Sequence, residues 1–262
     1  MEKLEQILQP IKCEFDECKT IYRSAHSDNS PLLNNILDHI HHREGKMMRP
    51  ILVLLCAKLF GNTGEKAVNV AAAYEFFHTA SLVHDDVVDE SDERRGQPSV
   101  NASFNNKKAV LAGDFILSYC LHYLASANIP RLIDIISVAA NCLSSGEILQ
   151  LSTSGIKRSK EEYIEVIKNK TAALFSACAQ SGAIVGGASE EDVEIMRQFG
   201  EAVGIGFQIK DDLLDNEIEQ EEAAQMVSTY IQTAKSLLEK YPDSEVKQSL
   251  LGFVDYVIDR KF

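Results

Sequence analysis

Turn-forming residues are scarce in this sequence, with 14 glycines and 6 prolines among 262 residues. Both counts fall below typical usage, which is about 7% for glycine and about 5% for proline. An all-β sandwich or barrel needs a turn about every ten residues, so the shortage disfavours that fold class. The length is enough for a sizeable core, in one large domain or two small ones.

Positive charge is also in short supply. The chain has 26 lysines and arginines against 39 aspartates and glutamates, which gives a formal net charge of −13. A general nucleic-acid binder needs the opposite balance, so we expect no nucleic-acid partner. A protein this acidic favours cationic ligands, of which a divalent metal ion is the simplest. The hydrophobic fraction of 45% is that of a globular protein rather than a disordered one.

Long apolar runs, a secretory signal and paired cysteines are absent as well. The longest continuous apolar run, residues 51–57, is about a third of the length that crosses a bilayer. The first residues show neither the basic nor the apolar region of a secretory signal. None of the six cysteines belongs to a CxxC pair, and no histidine stands at zinc-ligand spacing. We therefore expect a cytoplasmic protein with reduced cysteines and no transmembrane segment.

Helical periodicity dominates what is present, because apolar residues recur at i, i+3, i+4 and i+7. We predict helices over residues 4–24, 32–42, 48–59, 65–88, 107–127, 130–151, 160–186, 190–214, 219–240 and 244–260. Residues 94–106 are predicted to be irregular, with a turn at Gly96, and no stretch alternates for long enough to predict a strand. The sequence therefore predicts an all-α, single-domain helical bundle over residues 1–262.

Two acidic motifs, DDVVD and DDLLD, share the pattern DDxxD. Residues at i and i+4 lie on one face of a helix, so Asp85 converges with Asp89, and Asp211 with Asp215. Each motif ends an apolar helix, where the helix dipole disfavours anions. A bound cation would offset that cost, and Mg²⁺ commonly takes one or two carboxylates and completes its shell with water and phosphates. Acidic clusters that merely solvate helix ends are the alternative, which two copies of the motif disfavour.

Basic residues cluster at two places in this acidic chain. Lys46 and Arg49 are three residues apart and share a helix face, and Gly45 beside them lets the backbone come close to a ligand. Arg94 and Arg95 follow the first aspartate motif. A guanidinium binds phosphate through two hydrogen bonds, whereas lysine acts as a point charge. On their own, these arginines would more often be surface partners of neighbouring acidic residues.

A further lysine and a histidine lie on apolar helices. Lys170, followed by Thr171, needs a partner or a cavity, unless its side chain extends along the helix to solvent. His78 precedes Asp85 by seven residues, two helical turns, and so shares its face; alone, it would be an ordinary core histidine. Taken together, two carboxylate clusters and two basic groups describe a site for two diphosphates.

These residues resemble the trans-isoprenyl diphosphate synthases, or polyprenyl synthetases. The matching stretches, in the family's order, are GKMMRP at 45–50, HTASLVHDDVVDESDERRG at 78–96, Gly113-Asp114, Gly146-Glu147 with Gln150, KTAALF at 170–175 and GFQIKDDLLD at 206–215. The resemblance implies an all-α fold of the isoprenoid synthase type around a deep central cavity. It also implies Mg²⁺-dependent head-to-tail condensation of an allylic diphosphate with isopentenyl diphosphate.

The resemblance assigns roles to the residues singled out above. It implies that Asp85, Asp89 and Asp211 are the principal ligands of about three Mg²⁺ ions that hold the allylic diphosphate. The other motif aspartates, Asp86, Asp212 and Asp215, would lie nearby as further residues of the metal site. Arg94 and Lys170 would touch the same diphosphate. The isopentenyl diphosphate site would comprise Gly45, Lys46, Arg49, His78 and Arg95, and the residues flanking the allylic carbon would be Thr171 and Gln208.

The chemistry that the resemblance implies needs no protein nucleophile. Diphosphate leaves once Mg²⁺ and basic side chains neutralise it, and an allylic carbocation forms. Dipoles of Thr171 and Gln208 would stabilise the cation, which the alkene of isopentenyl diphosphate attacks before a proton is lost to the departing diphosphate. The predicted catalytic residues are therefore Lys170, Thr171 and Gln208.

Product length depends on residues that precede the first motif. Ala80 and Ser81 lie about one turn deeper than Asp85 and would line a hydrophobic tunnel. The resemblance implies that bulky aromatic residues there stop elongation, so these small residues predict a medium- or long-chain product, longer than a farnesyl chain. Residues that could form a deeper floor, or could equally be ordinary core, are Phe76, Phe77 and Phe115.

The sequence departs from the family after the second motif. There the family continues into a loop with a further lysine, a GK…G…D segment and a TLP-type helix start, whereas residues 216–220 run directly into the C-terminal helices. We therefore expect that a segment is missing after about residue 216: either this sequence omits a disordered segment, or a deletion has left an unusual, engineered or degenerate enzyme.

Two other functions remain open alongside condensation. A non-catalytic or impaired subunit of a heteromeric synthase would be expected to lose an aspartate motif, whereas both are intact. A class I terpene cyclase shares one such motif but has no use for the basic residues of a second diphosphate site. The resemblance further implies a homodimer, for which the helix at about 107–127 could supply an isologous face, or be buried internally.

Overall fold

The computed structural model describes residues 2–42, 45–61, 63–152, 159–214 and 220–258. The helices are α1 (Glu2–Leu8), α2 (Lys12–Arg23), α3 (Pro31–His41), α4 (Met48–Leu59), α5 (Glu65–Val88), α6 (Val100–Phe104), α7 (Asn106–Ser126), α8 (Pro130–Ser152), α9 (Lys160–Ile167), α10 (Ala173–Gly186), α11 (Glu190–Leu214), α12 (Gln220–Leu237) and α13 (Glu245–Ile258). A 3-10 turn (Gln9–Ile11) joins α1 to α2, and a π-helical turn (Lys168–Ala172) joins α9 to α10. The all-α prediction is confirmed.

Three of the predicted helices, α4, α5 and α11, have the predicted bounds, and the other helices differ where local chemistry intervenes. The first predicted helix is broken at Pro10, which lacks the N–H that a continuous helix needs. Pro31 opens α3 at its first position, and the Ser30 side chain accepts a hydrogen bond from the Leu33 N–H as its cap. The predicted helix over 160–186 is interrupted by the π-helical turn, which sequence periodicity did not indicate.

The stretch predicted to be irregular contains a small hairpin and a short helix. Strands β1 (Glu93–Arg94) and β2 (Gln97–Pro98) pair antiparallel, with Glu93 opposite Pro98. The two residues between them, Arg95 and Gly96, both have positive φ, at 54° and 72°. Two-residue hairpin loops favour this conformation because it matches the twist of the strands. The expectation of no strand is therefore wrong for these four residues.

The core surrounds α4 and α5, which are apolar on nearly every side. Residues 51–57 of α4 are fully buried, and α5 packs against α2, α4, α7 and α10. Helix α11 lies between α10 and α12. One cluster of buried residues runs from Ile7 to Ile258, so the first and last helices share it. This packing holds the C-terminal ends of α5 and α11, where the aspartate motifs are.

Two glycines allow the close helix contacts that set this arrangement. A Cβ at Gly182 of α10 would lie 2.4 Å from the Val53 carbonyl oxygen of α4. A Cβ at Gly204 of α11 would lie 2.6 Å from the Ala172 Cα in the π-helical turn. Only glycine leaves room for backbones this close. The π-helical turn is thereby pressed against α11, one turn before Gln208.

Helices α7 and α8 present apolar residues on the surface. Both are long and apolar enough to cross a membrane, and only 33% and 28% of their most apolar stretches are buried. Two such helices are weak evidence for a membrane span, and the absence of a transmembrane segment stays a prediction. The exposed large residues on these helices are Val110, Leu111, Leu121, Val138, Ile148, Leu149 and Leu151.

Candidate active site

A cavity of about 630 Å³ opens between the C-terminal ends of α5 and α11 and the N-terminal end of α4. Most of the site residues predicted from sequence line it. They are Gly45, Lys46, Arg49, His78, Ser81, Asp85, Asp89, Arg94, Arg95, Lys170, Thr171, Gln208 and Asp211. Residues that lie far apart in the sequence therefore meet in one place. Asp215, and the segment expected to be missing after it, lie outside the described residues.

Three aspartates of the two motifs face this cavity. Asp85 projects from α5, Asp89 is the C-cap residue that follows this helix, and Asp211 projects from α11. Burial, and then the nearby Glu147 carboxylate, raise the pKa of Asp85 to about 6, against the lowering effect of Lys170 and Arg94. The ionised carboxylate is therefore held in a place that disfavours an anion, and a cation would offset that cost.

The donor set fits Mg²⁺ bound together with a ligand rather than by protein alone. Among the described residues, no three histidine, cysteine, aspartate or glutamate side chains lie close enough to hold a metal ion by themselves. Mg²⁺ usually keeps several waters and takes only one or two carboxylates plus substrate phosphates. Asp85, Asp89 and Asp211, lining one cavity beside basic side chains, supply such carboxylates.

The second aspartate of each motif is placed differently. Asp86 and Asp212 are buried and do not line the cavity. The Asp86 carboxylate accepts hydrogen bonds from Arg94, through Nε at 2.8 Å and also through Nη2. Asp212 accepts from the Gln208 amide at 2.8 Å and from the Tyr163 hydroxyl at 2.5 Å. Each of these carboxylates thus fixes a side chain that does line the cavity.

Two basic side chains that line the cavity pack over aromatic rings. Lys46 lies over the Tyr256 ring, with Nζ 5.1 Å from its centre, and Arg49 lies over Phe175 at 4.8 Å. Arg49 Nη1 is 3.0 Å from His78 Nε2. Burial, and then Arg49, hold the pKa of His78 well below its usual range, so the ring is neutral. Because a guanidinium can only donate, His78 Nε2 must accept this hydrogen bond.

The hairpin brings Arg95 against Gly45. A Cβ at Gly45 would lie 2.5 Å from Arg95 Nη2 and 2.9 Å from its Cζ. Any side chain at position 45 would therefore displace the guanidinium from the cavity wall. The close approach predicted at Gly45 is thus to Arg95.

Lys170 is already engaged by a carboxylate. Its Nζ lies 2.6 Å from Glu147 and donates to Gln150 Oε1 at 3.3 Å, both on α8. Glu147 is buried, and it was assigned no role from sequence although it stands in a stretch that resembles the family. A second carboxylate, Glu75, is buried and lines the cavity one turn before His78. In the sequence, only its position three residues before His78, on the same helix face, indicated that Glu75 could belong to the site.

A second, mostly apolar cavity of about 340 Å³ adjoins the first between α5, α7 and α8. Ala80 and Ser81 line it, as predicted, and Ser81 and Asp85 line both cavities. Phe77, one turn deeper than Ser81, also lines it.

The other two candidates for a tunnel floor pack elsewhere. Phe76 is fully buried, with its ring 5.2 Å from Tyr22 and 5.8 Å from Tyr123. Phe115 packs against Tyr119. Neither lines the apolar cavity. Of the three candidates, Phe77 is therefore the one placed to limit its depth.

Proteins with similar sequences indicate the family to which the chain belongs. The polyprenyl synthetase family model matches residues 30–238. Octaprenyl diphosphate synthase of Escherichia coli (strain K12) is 38% identical over 208 residues, which are 79% of this chain and 64% of that protein. Decaprenyl-diphosphate synthase of Dictyostelium discoideum is 36% identical over 223 residues, covering 85% of this chain and 49% of the relative. The chain thus spans less than two thirds of these relatives.

Solved structures agree in fold. A decaprenyl diphosphate synthase from Rhodobacter capsulatus superposes with a TM-score of 0.89 at 30% identity, covering 98% of both chains. A geranylgeranyl pyrophosphate synthase from Bacteroides thetaiotaomicron gives 0.84 at 32% identity, covering 99% of this chain and 100% of the other. Aspartates of both motifs line one cavity together with the basic side chains, and the family model matches more than half of the chain, so the chain belongs to the polyprenyl synthetase family.

Proposed function

We propose that this protein is a prenyltransferase that condenses isopentenyl diphosphate head-to-tail with an allylic diphosphate. One observation carries the proposal: a single cavity joins Asp85, Asp89 and Asp211 to five basic side chains and opens beside an apolar cavity. The aspartates, with bound metal, and the basic side chains suit two diphosphates, and the apolar cavity suits a hydrocarbon chain. The relatives named as octaprenyl and decaprenyl diphosphate synthases support this assignment.

The basic side chains divide between the two diphosphates. Arg94 and Lys170 lie on the side of the aspartates and would bind the allylic diphosphate with them. Lys46, Arg49 and Arg95 would bind isopentenyl diphosphate, and neutral His78 keeps the Arg49 guanidinium in place. Mg²⁺, held by Asp85, Asp89 and Asp211, would neutralise the leaving diphosphate. Lys170 would exchange its pairing with Glu147 for the diphosphate.

Thr171 and Gln208 would face the allylic carbon. They line the same cavity, and Thr171 Oγ1 donates to Gln208 Oε1 at 2.6 Å. The threonine oxygen therefore keeps its lone pairs for the positive charge that develops on the carbon. The apolar cavity would take up the growing chain and exclude water from the cation.

Product length follows from the walls of the apolar cavity. The small residues Ala80 and Ser81 line it, and the bulkier Phe77 lines it one turn deeper. We infer a product longer than a farnesyl chain.

The same proposal includes a homodimer. Helices α7 and α8 both carry exposed apolar side chains, and Leu111 and Ile148 are each 67% exposed. A second copy of the chain would bury such side chains through an isologous contact, because the same residues are available on both copies.

Incubation with Mg²⁺, farnesyl diphosphate and radiolabelled isopentenyl diphosphate tests the proposal. The expected result is a solvent-extractable product, longer than farnesyl, that requires both Mg²⁺ and isopentenyl diphosphate. Asp85→Asn should abolish it, whereas Glu17→Gln, on the exposed face of α2, serves as the matched control. Release of diphosphate from farnesyl diphosphate without uptake of isopentenyl diphosphate would favour a terpene cyclase instead.

A component of a heteromeric synthase is the second candidate. Heptaprenyl diphosphate synthase component 2 of Geobacillus stearothermophilus is 37% identical over 194 residues, and its name describes one part of an enzyme. This candidate predicts that the chain alone is inactive and gains activity when a partner subunit is added.

A further inference from the structure

Three consecutive hydrogen bonds connect the cavity to a tyrosine outside it. Thr171 Oγ1 donates to Gln208 Oε1 at 2.6 Å, and Gln208 Nε2 donates to Asp212 Oδ1 at 2.8 Å. The other oxygen of Asp212 accepts from the Tyr163 hydroxyl at 2.5 Å. Thr171 and Gln208 line the cavity, whereas Asp212 and Tyr163 do not. The chain of bonds therefore runs from α9 through α11 to the π-helical turn.

Each bond in this chain has a fixed direction. The Asp212 carboxylate accepts from both Gln208 and Tyr163, so the Gln208 amide turns its NH₂ group toward Asp212 and its oxygen toward Thr171. Thr171 has a single hydroxyl hydrogen, and the Gln208 oxygen takes it. What Thr171 can offer to the cavity is then its lone pairs.

The opposite orientation would reverse the polarity at the cavity. If the Gln208 amide turned over, its NH₂ group would donate to Thr171, and the hydroxyl hydrogen would be released toward the cavity. A hydrogen-bond donor beside a carbocation raises its energy, whereas lone pairs lower it. The orientation of one amide thus decides whether Thr171 helps or opposes ionisation.

The backbone holds the partners at the required spacing. Gln208 and Asp212 are four residues apart on α11 and share a face. Gly204, one turn earlier, allows the π-helical turn to approach α11 closely enough for Thr171 to reach Gln208. Asp212 is buried, so its carboxylate needs hydrogen-bond donors, which Gln208 and Tyr163 supply.

We propose that Tyr163 and Asp212 are positioning residues that act through Gln208 to fix the hydroxyl of Thr171 as a donor, so that the allylic cation meets only oxygen lone pairs. This inference rests on the proposed function. It gives the second aspartate of the DDLLD motif a role distinct from metal binding, and Tyr163 a role that its place on α9 did not suggest.

Steady-state kinetics of three variants test the inference. Tyr163→Phe removes only the hydroxyl and should lower kcat about tenfold, the loss expected of a hydrogen bond to a charged group, with KM for both substrates and the Mg²⁺ requirement unchanged. Tyr119→Phe is the matched control, since its hydroxyl bonds to His26 away from the cavity and kcat should stay within about twofold. Asp211→Asn, by contrast, should raise the Mg²⁺ concentration needed.

Moving the negative charge from position 212 to position 208 tests whether Asp212 positions Gln208 or has a merely structural role. Asp212→Asn should lower kcat by about tenfold or more, because the Gln208 amide can then turn over. Adding Gln208→Glu restores an acceptor to which Thr171 must donate. In this double variant the new amide at position 212 can donate to the new carboxylate at position 208 and accept from Tyr163. The double variant should therefore recover most of the lost kcat, at a melting temperature equal to that of Asp212→Asn.

Three results would overturn the inference in an active chain: unchanged kcat in Tyr163→Phe, a double variant no faster than Asp212→Asn, or a raised Mg²⁺ requirement in Tyr163→Phe. A wild-type chain that incorporates no isopentenyl diphosphate would overturn the proposed function itself, and the inference with it.

Discussion

The raised pKa of Asp85 predicts that Mg²⁺ binding weakens at mildly acidic pH. Burial, and then Glu147, raise this pKa from its usual 3.8 to about 6. At pH 5 only about one carboxyl in eleven would be ionised, whereas an unperturbed aspartate would remain about 94% ionised. Because the metal binds the ionised form, the apparent Mg²⁺ affinity should fall about tenfold between pH 7 and pH 5.

The variant Glu147→Gln separates the pH dependence that arises from the protein from the pH dependence that arises from ionisation of the diphosphate ligand. Diphosphates titrate in the same range, but their own ionisation is the same for every variant. Removing the Glu147 charge lowers the pKa of Asp85, so the midpoint of the pH profile should move to lower pH. Glu17→Gln, on the exposed face of α2, should leave the midpoint in place.

Calorimetric titration of Mg²⁺, in the presence of a non-reactive allylic diphosphate analogue, measures these profiles at pH 7.5, 6 and 5. A midpoint that is identical in wild type, Glu147→Gln and Glu17→Gln would refute the reasoning, because it would show that the ligand alone titrates.

The raised pKa of Asp85 also affects the stability of the metal-free protein. Its folded form holds the extra proton between pH 3.8 and about 6, so the contribution of Asp85 to stability falls as pH rises through that window.

Four further substitutions have defined outcomes. Ala80→Tyr should shorten the product and Phe77→Ala should lengthen it, as chromatography of the products would show; unchanged lengths in both would contradict the assignment of the apolar cavity. Gly45→Ala should displace Arg95 and raise KM for isopentenyl diphosphate roughly tenfold, or about 1.4 kcal/mol, with the KM for the allylic substrate unaffected. Leu111→Glu should give a monomer of 29.1 kDa by light scattering where the wild type gives twice that mass.

Much of the fold follows from local rules that the sequence displays directly. The bounds of α4, α5 and α11 were predicted correctly because long apolar helical stretches, and the glycines and polar residues that bound them, are short-range signals. The i, i+4 spacing likewise predicted that Asp85 and Asp89 would share a face, and both line the cavity. Helix geometry is the same in every protein, so spacing alone was sufficient.

The partners of the remaining site residues could not be predicted in this way. Asp86 meets Arg94 because a two-residue hairpin folds back on α5, and Lys170 meets Glu147 because α8 passes beside it. These contacts join residues from separate elements, and their packing depends on the whole core. Resemblance to the family indicated which residues belong to the site, but not which carboxylate pairs with which basic side chain.

Residue type and spacing along the chain are sufficient to predict most of the helices, the shared faces of the aspartates and the acidic balance. The π-helical turn, which places Thr171 against Gln208, depends instead on tertiary contacts. Nothing in the letters KNKTA marks it. The turn lies where two glycines, Gly146 on α8 and Gly204 on α11, bring neighbouring backbones against residues 169–172. Contacts of that kind exist only once distant segments have packed together.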